Sequence, residues 1–454
     1  MKTVRIHLDP SVRNGKIRNI LGINNSPRLS SHLGTLKEKE LLDRLAPACV
    51  RWHDSAGGGN SGEALIDISR IFPLFHADEN DPANYLFKAT DFYISQALDC
   101  GAGIEFRLGE QIDHSDVKIR IQCPSDMEKW ARICLNVIRH YNEGWADGMK
   151  LGIRDWSIWE EPNNTSLFMG SGKVYYESYP EYYRLYEITA KSIRKHFPSL
   201  RIGGPNAIPA IAMTDEFFPE DHPQTSFCGK FLDYCRLHDV PLDFFSVTHY
   251  CRDPRSFVML IENMRKLTAK HGFPEVGLRI AEFNLYPMVQ WDTLESRMNR
   301  TFNAAFLTVS LLRMLKTPLE IASFYSWFNS LKYTIFDLNG NPGPVYYGLC
   351  SYTEMTRCAA GLVPEISGEI PENTEILAGI EEDGKVKVLI SAFQPQSLRL
   401  EFKMPGCTGC RVRSLNDRSE GYREEYPLTA DRDGCFAFEI REKEEAVAIL
   451  EFSR

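Results

Sequence analysis

The sequence has no run approaching the roughly 18 apolar residues that a membrane-spanning helix needs. Its opening, "MKTVRIHLDPSVRNGKI", lacks the continuous apolar segment of a secretory signal. Positive charge is scarce: 52 Lys and Arg stand against 61 Asp and Glu, for a net charge of −9. No basic cluster offsets that balance, so nucleic acid and anionic membranes are poor partners. No low-complexity tract interrupts a composition of 43% hydrophobic and 25% charged residues, as in an ordinary globular chain. Cofactor signatures are missing as well. There is no HExxH or His-x-His spacing, and no Gly-rich phosphate fingerprint follows the first strand-like segment. "CTGC" (Cys407, Cys410) is a lone CxxC without a second pair, so neither a metal nor an organic cofactor is expected. The 12 cysteines are scattered and several sit in apolar patterns, like buried free thiols in a reducing compartment. A cytoplasmic location is the expectation.

What is present is alternation. At 454 residues the chain exceeds the ~250–300 at which single cores stop growing. Between residues 17 and about 350, eight short apolar segments alternate with helical patterns: "IRNILGINN", "ACVRWHD", "GAGIEFRLGE", "RDWSIWEEP", "RIGGPN", "DFFSVTHY", "GLRIAEFN" and "IASFYSWF". Most are apolar runs ending in polar residues, as parallel strands covered on both faces should be. In "SDMEKWARICLNVIRHYNEGW", Trp130, Ile133, Cys134, Val137, Ile138 and Tyr141 form one stripe at helical period, and Ser125 with Glu128 predicts a capping box. "PEYYRLYEITAKSIRKHF" predicts a second helix, with Pro180 in its first turn. The pattern predicts an α/β fold, a (β/α)₈ TIM barrel over residues 15–352; a doubly wound open sheet is the competitor. After residue 352, "EDGKVKVLISAF", "SLRLEFKM", "GCFAFEIRE" and "EEAVAILEF" alternate apolar and polar residues. They predict an accessory antiparallel β-sandwich of residues 353–454, joined by residues 1–14, which share that alternation.

Barrel chemistry gathers at the C-terminal ends of the strands. Those ends carry Arg51, His53 and Asp54; Arg107, Glu110 and Gln111; Glu160 and Glu161; Asn206; His249 and Tyr250; Glu282 and Asn284; and Trp327. Carboxylates ending strands four and seven face each other across a barrel mouth, which suits two-carboxylate glycoside cleavage. "WEEPNN" together with "AEFN" resembles the clan A glycoside hydrolases. "VRWHDSAG", "VIRHYNEGW", "GGPN" and "FDLNGNPGPVYYGL" make the likeness closest to family 39, which contains β-xylosidases and α-L-iduronidases. The resemblance implies Glu161 as acid/base and Glu282 as nucleophile in a retaining mechanism, with oligomers common. Before Pro162 the Glu161 backbone should be extended. Arg51 is the expected cation beside Glu282, with His249 and Tyr250 expected to bond and orient it; Trp327 is either a sugar platform or barrel packing. His53, Asp54, Asn206 and Asn284 complete the expected substrate-binding set.

One departure matters. The clan pattern is Trp-Asn-Glu-Pro, and its Asn bonds the sugar 2-hydroxyl; here that position is Glu160. An amide donates through its NH₂, whereas an ionised carboxylate only accepts. Three readings follow: Glu160 accepts a bond from a sugar C2 substituent; its charge raises the Glu161 pKa; or the site is a sugar-binding pseudoenzyme. The leading expectation is a β-xylosidase-like, exo-acting glycosidase on short oligosaccharides. A non-catalytic carbohydrate binder and a metal-dependent barrel enzyme using His53, Asp54, His114 and His249 are the competitors. Arg252, Arg255 and Lys332 are the loop cations for a sugar carboxylate, and none is diagnostic.

Overall fold

The computed structural model describes residues 1–25, 34–53, 65–95, 101–111, 123–163, 179–209, 223–286, 300–327, 335–336, 341–415 and 422–453. Asp54, His114 and Lys332 lie outside the described residues.

After β1 (Lys2–His7) and β2 (Arg13–Asn14), eight strands form the centre of the molecule. They are β3 (Leu21–Asn24), β4 (Cys49–Trp52), β5 (Gly103–Leu108), β6 (Asp155–Ile158), β7 (Arg201–Ala207), β8 (Phe244–Cys251), β9 (Gly277–Leu285) and β10 (Leu319–Phe324). Each pairs in parallel with its neighbour, and β10 returns to β3, closing a (β/α)₈ barrel rather than an open sheet. Both faces of these strands are covered, which is why β9 is buried along its whole length and reads as an apolar run with a few polar residues.

The outer layer includes α1 (Gly34–Leu45), α2 (Ile68–Ile71), α3 (Phe87–Ser95), α4 (Met127–Asn142), α5 (Tyr179–His196), α6 (Pro223–Leu237), α7 (Arg255–Lys270), α8 (Thr301–Met314) and α9 (Pro344–Thr356). The stripe from Trp130 to Tyr141 on α4 is buried against the barrel. Its cap is Asp126, not Ser125: the Asp126 carboxylate accepts from the Lys129 N–H at 2.9 Å, and an acidic cap also complements the helix dipole. None of the described helices is long and apolar enough to cross a membrane.

Beyond the barrel lie β11 (Ala360–Leu362), β12 (Glu365–Ser367), β13 (Thr374–Ile380), β14 (Val386–Ala392), β15 (Leu398–Lys403), β16 (Gly409–Leu415), β17 (Tyr422–Leu428), β18 (Cys435–Ile440) and β19 (Ala446–Ser453). They form a four-stranded sheet, β12-β1-β15-β18, and a seven-stranded sheet, β17-β16-β19-β14-β13-β11-β2. Val4 and Ile6 of β1 enter the apolar interior between the sheets with Leu400, Phe402, Phe438 and Phe452. The N-terminal segment is therefore part of this module. Leu389, Val447 and Ile449 turn the other way into the barrel's own cluster, and Glu375 of β13 pairs with Arg313 (2.9 Å) and Lys316 (2.6 Å) at the end of α8. Described cysteines, Cys407 and Cys410 among them, are free thiols.

Candidate active site

The barrel interior holds charge in layers. Near its floor Arg279 of β9 pairs with Glu105 (2.9 Å) and Asp155 (2.9 Å), and Arg201 pairs with Glu320 (2.9 Å). Glu105 of β5 also takes Arg51 Nε at 3.2 Å, which links the floor to the mouth. Burial alone would raise the Glu105 carboxyl, but Arg279 and Arg51 outweigh it and hold the group below the usual range.

At the mouth, Arg51 lies fully buried beneath two carboxylates. Its Nη2 bonds Glu160 Oε2, its Nη1 donates to Asn24 Oδ1 at 3.1 Å, and the same Nη1 is 3.9 Å from Glu282 Oε1. Burial opposes the guanidinium charge, but Glu160, Glu105 and Glu282 reverse that effect and raise its pKa. His53, two residues along the strand and so on the same face, places Nε2 2.8 Å from Glu282 Oε1 and Nδ1 3.4 Å from Glu160 Oε2. Tyr250 completes the surroundings of Glu282, its hydroxyl donating to Oε2 at 2.6 Å.

Glu161 has a different setting. Thr248 Oγ1 donates to its Oε1 at 2.9 Å, and Thr248 is the register partner of Glu282 on the neighbouring strand. The carboxylates at the ends of β6 and β9 thus converge through one threonine. Glu161 is not extended: its φ is +40°, and Trp159 stands at φ +69°. Both sit in the left-handed region, which costs an ordinary residue roughly 1–3 kcal/mol. That departure takes the chain out of strand alternation, so the adjacent Glu160 and Glu161 both enter the mouth. Gly109 makes room for it, since a Cβ there would lie 2.9 Å from the Trp159 ring.

Glu160 is 1% exposed. Its Oε2 accepts from Arg51 and, at 3.3 Å, from Asn206 Nδ2; its Oε1 is buried with no partner among the described residues. Burial pushes its carboxyl up to about 7, against the pull of Arg51 and His53, with Glu282 and Glu161 adding to the rise. Asn206 is fixed in turn by Trp159 O (2.9 Å) and by Ser246, which donates to its Oδ1.

Other expected residues are placed differently. His249 alternates away from Tyr250, so it faces α7 rather than Glu282. Its Nε2 lies 2.9 Å from Ser256 Oγ, its ring is edge-on to Phe257, and burial lowers its pKa to about 3. Asn284 donates to the Tyr325 carbonyl at 2.7 Å and accepts from Leu285 N–H and Asn303. Trp327 is fully buried and edge-on to Phe336 at 5.3 Å, so its geometry here is packing. Arg107 donates to the His53 carbonyl and pairs with Asp67 at 2.6 Å. Residues missed from sequence are Thr248, Ser246, Asn24 and Glu105. Thr248 lies two positions before Tyr250 and so on its face, and Glu105 is an acid within the strand-like run "GAGIEFRLGE"; both signals were readable.

Ligand atoms of His53, Glu160 and Glu282 lie within 4.8 Å of one another, close enough to chelate a cation. The Arg51 guanidinium lies against both carboxylates, so the chain itself supplies positive charge beside them.

Residues 87–349 match the family model for glycosyl hydrolases family 39. A β-xylosidase of Geobacillus stearothermophilus is 25% identical over 246 residues, covering 50% of this chain and 42% of that protein. The chain spans about half the length of the curated relatives it matches. Among solved structures, a glucosidase from Croceicoccus marinus superposes with TM-score 0.78 at 20% identity, over 100% of this chain and 99% of the other. A monomeric β-xylosidase from Caulobacter crescentus gives TM-score 0.69 at 16% identity, over 100% and 99%. These two are likenesses of fold. With a family match over more than half its length, on the segment that supplies β5 to β10 and the three mouth carboxylates Glu160, Glu161 and Glu282, the chain belongs to glycosyl hydrolase family 39.

Proposed function

We propose that the protein is a retaining glycosidase of β-xylosidase type, removing terminal sugars from short oligosaccharides or glycosides in the cytoplasm. The observation that carries this reading is the unequal treatment of two converging carboxylates. Glu282 is flanked by His53, Arg51 and the Tyr250 hydroxyl, donors that favour the ionised form a nucleophile needs. Glu161 lies beside the Glu160 carboxylate, a like charge that opposes a second ionisation, in keeping with a group that must hold and then release a proton. In the first step Glu282 attacks the anomeric carbon as the glycosidic C–O bond breaks, and the Glu161 proton goes to the leaving oxygen. In the second, Glu161 takes a proton from water, whose oxygen displaces Glu282 from the sugar. The β-xylosidase names of the curated relatives support the sugar class, and the free thiols support the compartment.

The test is a 2-deoxy-2-fluoro xylosyl donor followed by peptide mass spectrometry. A covalent sugar on Glu282 is expected, with accumulation abolished in Glu282→Gln. No adduct across a panel of fluoro sugars, alongside measurable sugar binding, would instead favour a carbohydrate-binding pseudoenzyme.

A second reading, a preference shifted at the sugar's C2 substituent, is favoured by Glu160. Its Oε1, without a partner among the described residues, is a buried acceptor that a sugar hydroxyl or ammonium can satisfy. Wild type and Glu160→Asn should then rank 2-hydroxy, 2-amino and 2-deoxy aryl glycosides differently; identical rankings would sink it.

A further inference from the structure

Past the irregularity at Ala281, β8 and β9 run in step: Thr248 pairs with Glu282, His249 with Phe283, Tyr250 with Asn284 and Cys251 with Leu285. Register partners share a face of the sheet, and successive pairs alternate between its two faces. The first pair lines the mouth, where Thr248 reaches Glu161 and Glu282 reaches His53. The second turns outward, since His249 and Phe283 both meet the Phe257 ring of α7 edge-on, at 5.4 Å and 5.7 Å. Cys251 and Leu285 follow that direction and are buried in the barrel's apolar cluster. The ladder continues one step beyond the strand ends, with the Tyr286 N–H donating to the Cys251 carbonyl at 2.8 Å. Alternation therefore returns the next pair, Arg252 and Tyr286, to the mouth side. The two side chains meet there, with the guanidinium carbon 5.5 Å from the centre of the Tyr286 ring.

Both are open to solvent. Tyr286 is 45% exposed, and among the described residues it is the one exposed large apolar side chain that directly follows a barrel strand. Arg252 is exposed and makes no ion pair among the described residues; the adjacent Asp253 is taken by Arg255 at 2.5 Å. An aromatic face suits the C–H groups of a sugar ring, and a guanidinium fork suits a carboxylate. At about 3.3 Å per residue, Tyr286 stands ~13 Å along its strand from Glu282, and Arg252 about 7 Å along its own from Tyr250. In the proposed reaction the terminal sugar fills the buried mouth, so this outer step of the wall meets the part that leaves.

We propose that Arg252 and Tyr286 form a leaving-group subsite that selects glycosides whose departing sugar carries a carboxylate, as a uronic acid does. Tyr286 stacks on that sugar, and Arg252 donates two parallel N–H bonds to its carboxylate. Glu160, Glu161 and Glu282 crowd negative charge into the mouth and oppose an acidic terminal sugar, which assigns the carboxylate to the outer position. The pair sets specificity and takes no part in breaking the bond.

The proposal rests on the glycosidase reading for the direction in which the substrate lies. The experiment compares xylosyl-β-1,4-glucuronate with xylosyl-β-1,4-glucose, which differ only at carbon 6 of the leaving sugar, by kcat/KM and by calorimetric binding to the full chain. Wild type should favour the acid about 5- to 10-fold at low salt, the scale of a charge-assisted contact that stays partly wet. That preference should shrink as ionic strength rises and disappear in Arg252→Gln. Tyr286→Ala should raise KM for both disaccharides about 5-fold, with less effect on kcat. A wild type indifferent to the carboxylate, or a preference that survives Arg252→Gln, overturns the proposal. Absence of turnover on both disaccharides and on aryl glycosides would instead discard the glycosidase reading, and the binding ratio, which needs no turnover, then decides the subsite by itself.

Discussion

Glu110, just past β5, is 5% exposed and offers a clean link between burial and pH. Burial first, then the neighbouring Asp67, push its carboxyl up to about 8, although the Ser69 hydroxyl and N–H (2.9 Å) both bond it and pull the other way. One guanidinium, Arg107, faces these two carboxylates and pairs with Asp67, so Glu110 is the one that stays protonated. The unfolded chain releases that proton near 4.5 and the folded chain near 8, so between those values the folded state holds one proton more. Stability must then fall as pH rises through this window, by about 1.4 kcal/mol per pH unit and about 5 kcal/mol in full. Glu110→Gln is uncharged at every pH and keeps an acceptor for the Ser69 N–H. Its stability relative to wild type should be near zero at pH 5 and grow towards that figure by pH 9, with the neighbouring Asp67 the one other carboxyl whose titration changes with it. At about 2.1 cal/mol/K per residue, a chain of this length unfolds with about 1 kcal/mol/K, so the variant should gain about 5 °C in Tm at pH 9. Scanning calorimetry at pH 5, 7 and 9 decides it. A Tm difference that stays constant across the three, or that moves towards wild type as pH rises, refutes the protonated Glu110.

Tyr250→Phe deletes a 2.6 Å bond to Glu282, the proposed nucleophile, a charge-assisted contact of about 1.5–3 kcal/mol, so kcat/KM on an aryl xyloside should fall about 10- to 150-fold with the melting temperature little changed. An unaltered rate would remove Tyr250 from the mechanism. Arg279→Met strands Glu105 and Asp155 without their shared cation and should destabilise by about 3–5 kcal/mol in denaturant titration; adding Glu105→Gln should recover part of the loss, and no recovery would mean the two are not coupled. Gly109→Ala places a Cβ 2.9 Å from the Trp159 ring and 3.1 Å from its Cα, at a φ of +132°. It should cost activity more than stability, with sugar labelling of Glu282 slowed at least about 10-fold while the protein still folds cooperatively; equal losses in both would show that the strand end is only packing.

The architecture was legible because burial on both faces leaves a coarse signal. Eight apolar segments with helical stripes between them became β3 to β10 in a closed ring, and the later alternation became sheets that are antiparallel except where β1 lies parallel to β15. Arg51, His53 and Tyr250 were legible for the same reason, since residues at strand ends and two apart share a face. What sequence did not show is the partner of each. His249 looks as suitable as Tyr250 in a string, yet alternation turns it to Ser256. Asn284 looks like a sugar ligand, yet the Tyr325 carbonyl takes its amide. The cap of α4 moved by one residue because Ser125 and Asp126 both have cap chemistry and only the backbone decides between them.

The deeper failures of periodicity fall where the chemistry is. On β9, Arg279 and Glu282 are three apart and should face opposite ways, yet Arg279 reaches Glu105 and Glu282 reaches His53, both inside the barrel. The register explains it: Val247 pairs with Ile280 but Thr248 pairs with Glu282, so Ala281 is an extra residue, a β-bulge that re-aims the carboxylate inward. Asn206 occupies the same kind of place on β7, between Pro205 paired with Ser246 and Ala207 paired with Val247, and its φ is +54°. Glu161 reaches the mouth through left-handed backbone at itself and at Trp159. Three of the polar side chains that define the mouth therefore leave strands that have broken their own pattern. A regular strand offers the mouth every second residue; an irregular one can bring Glu160 and Glu161 in side by side. Such irregularity persists only where the surroundings over-determine it, as Gly109 beneath Trp159 and Asn206 across its carbonyl do here. The adjacent pair is thus a product of the backbone as much as of the two glutamates, and the charge that this adjacency concentrates is what Arg51 and His53 are placed to meet.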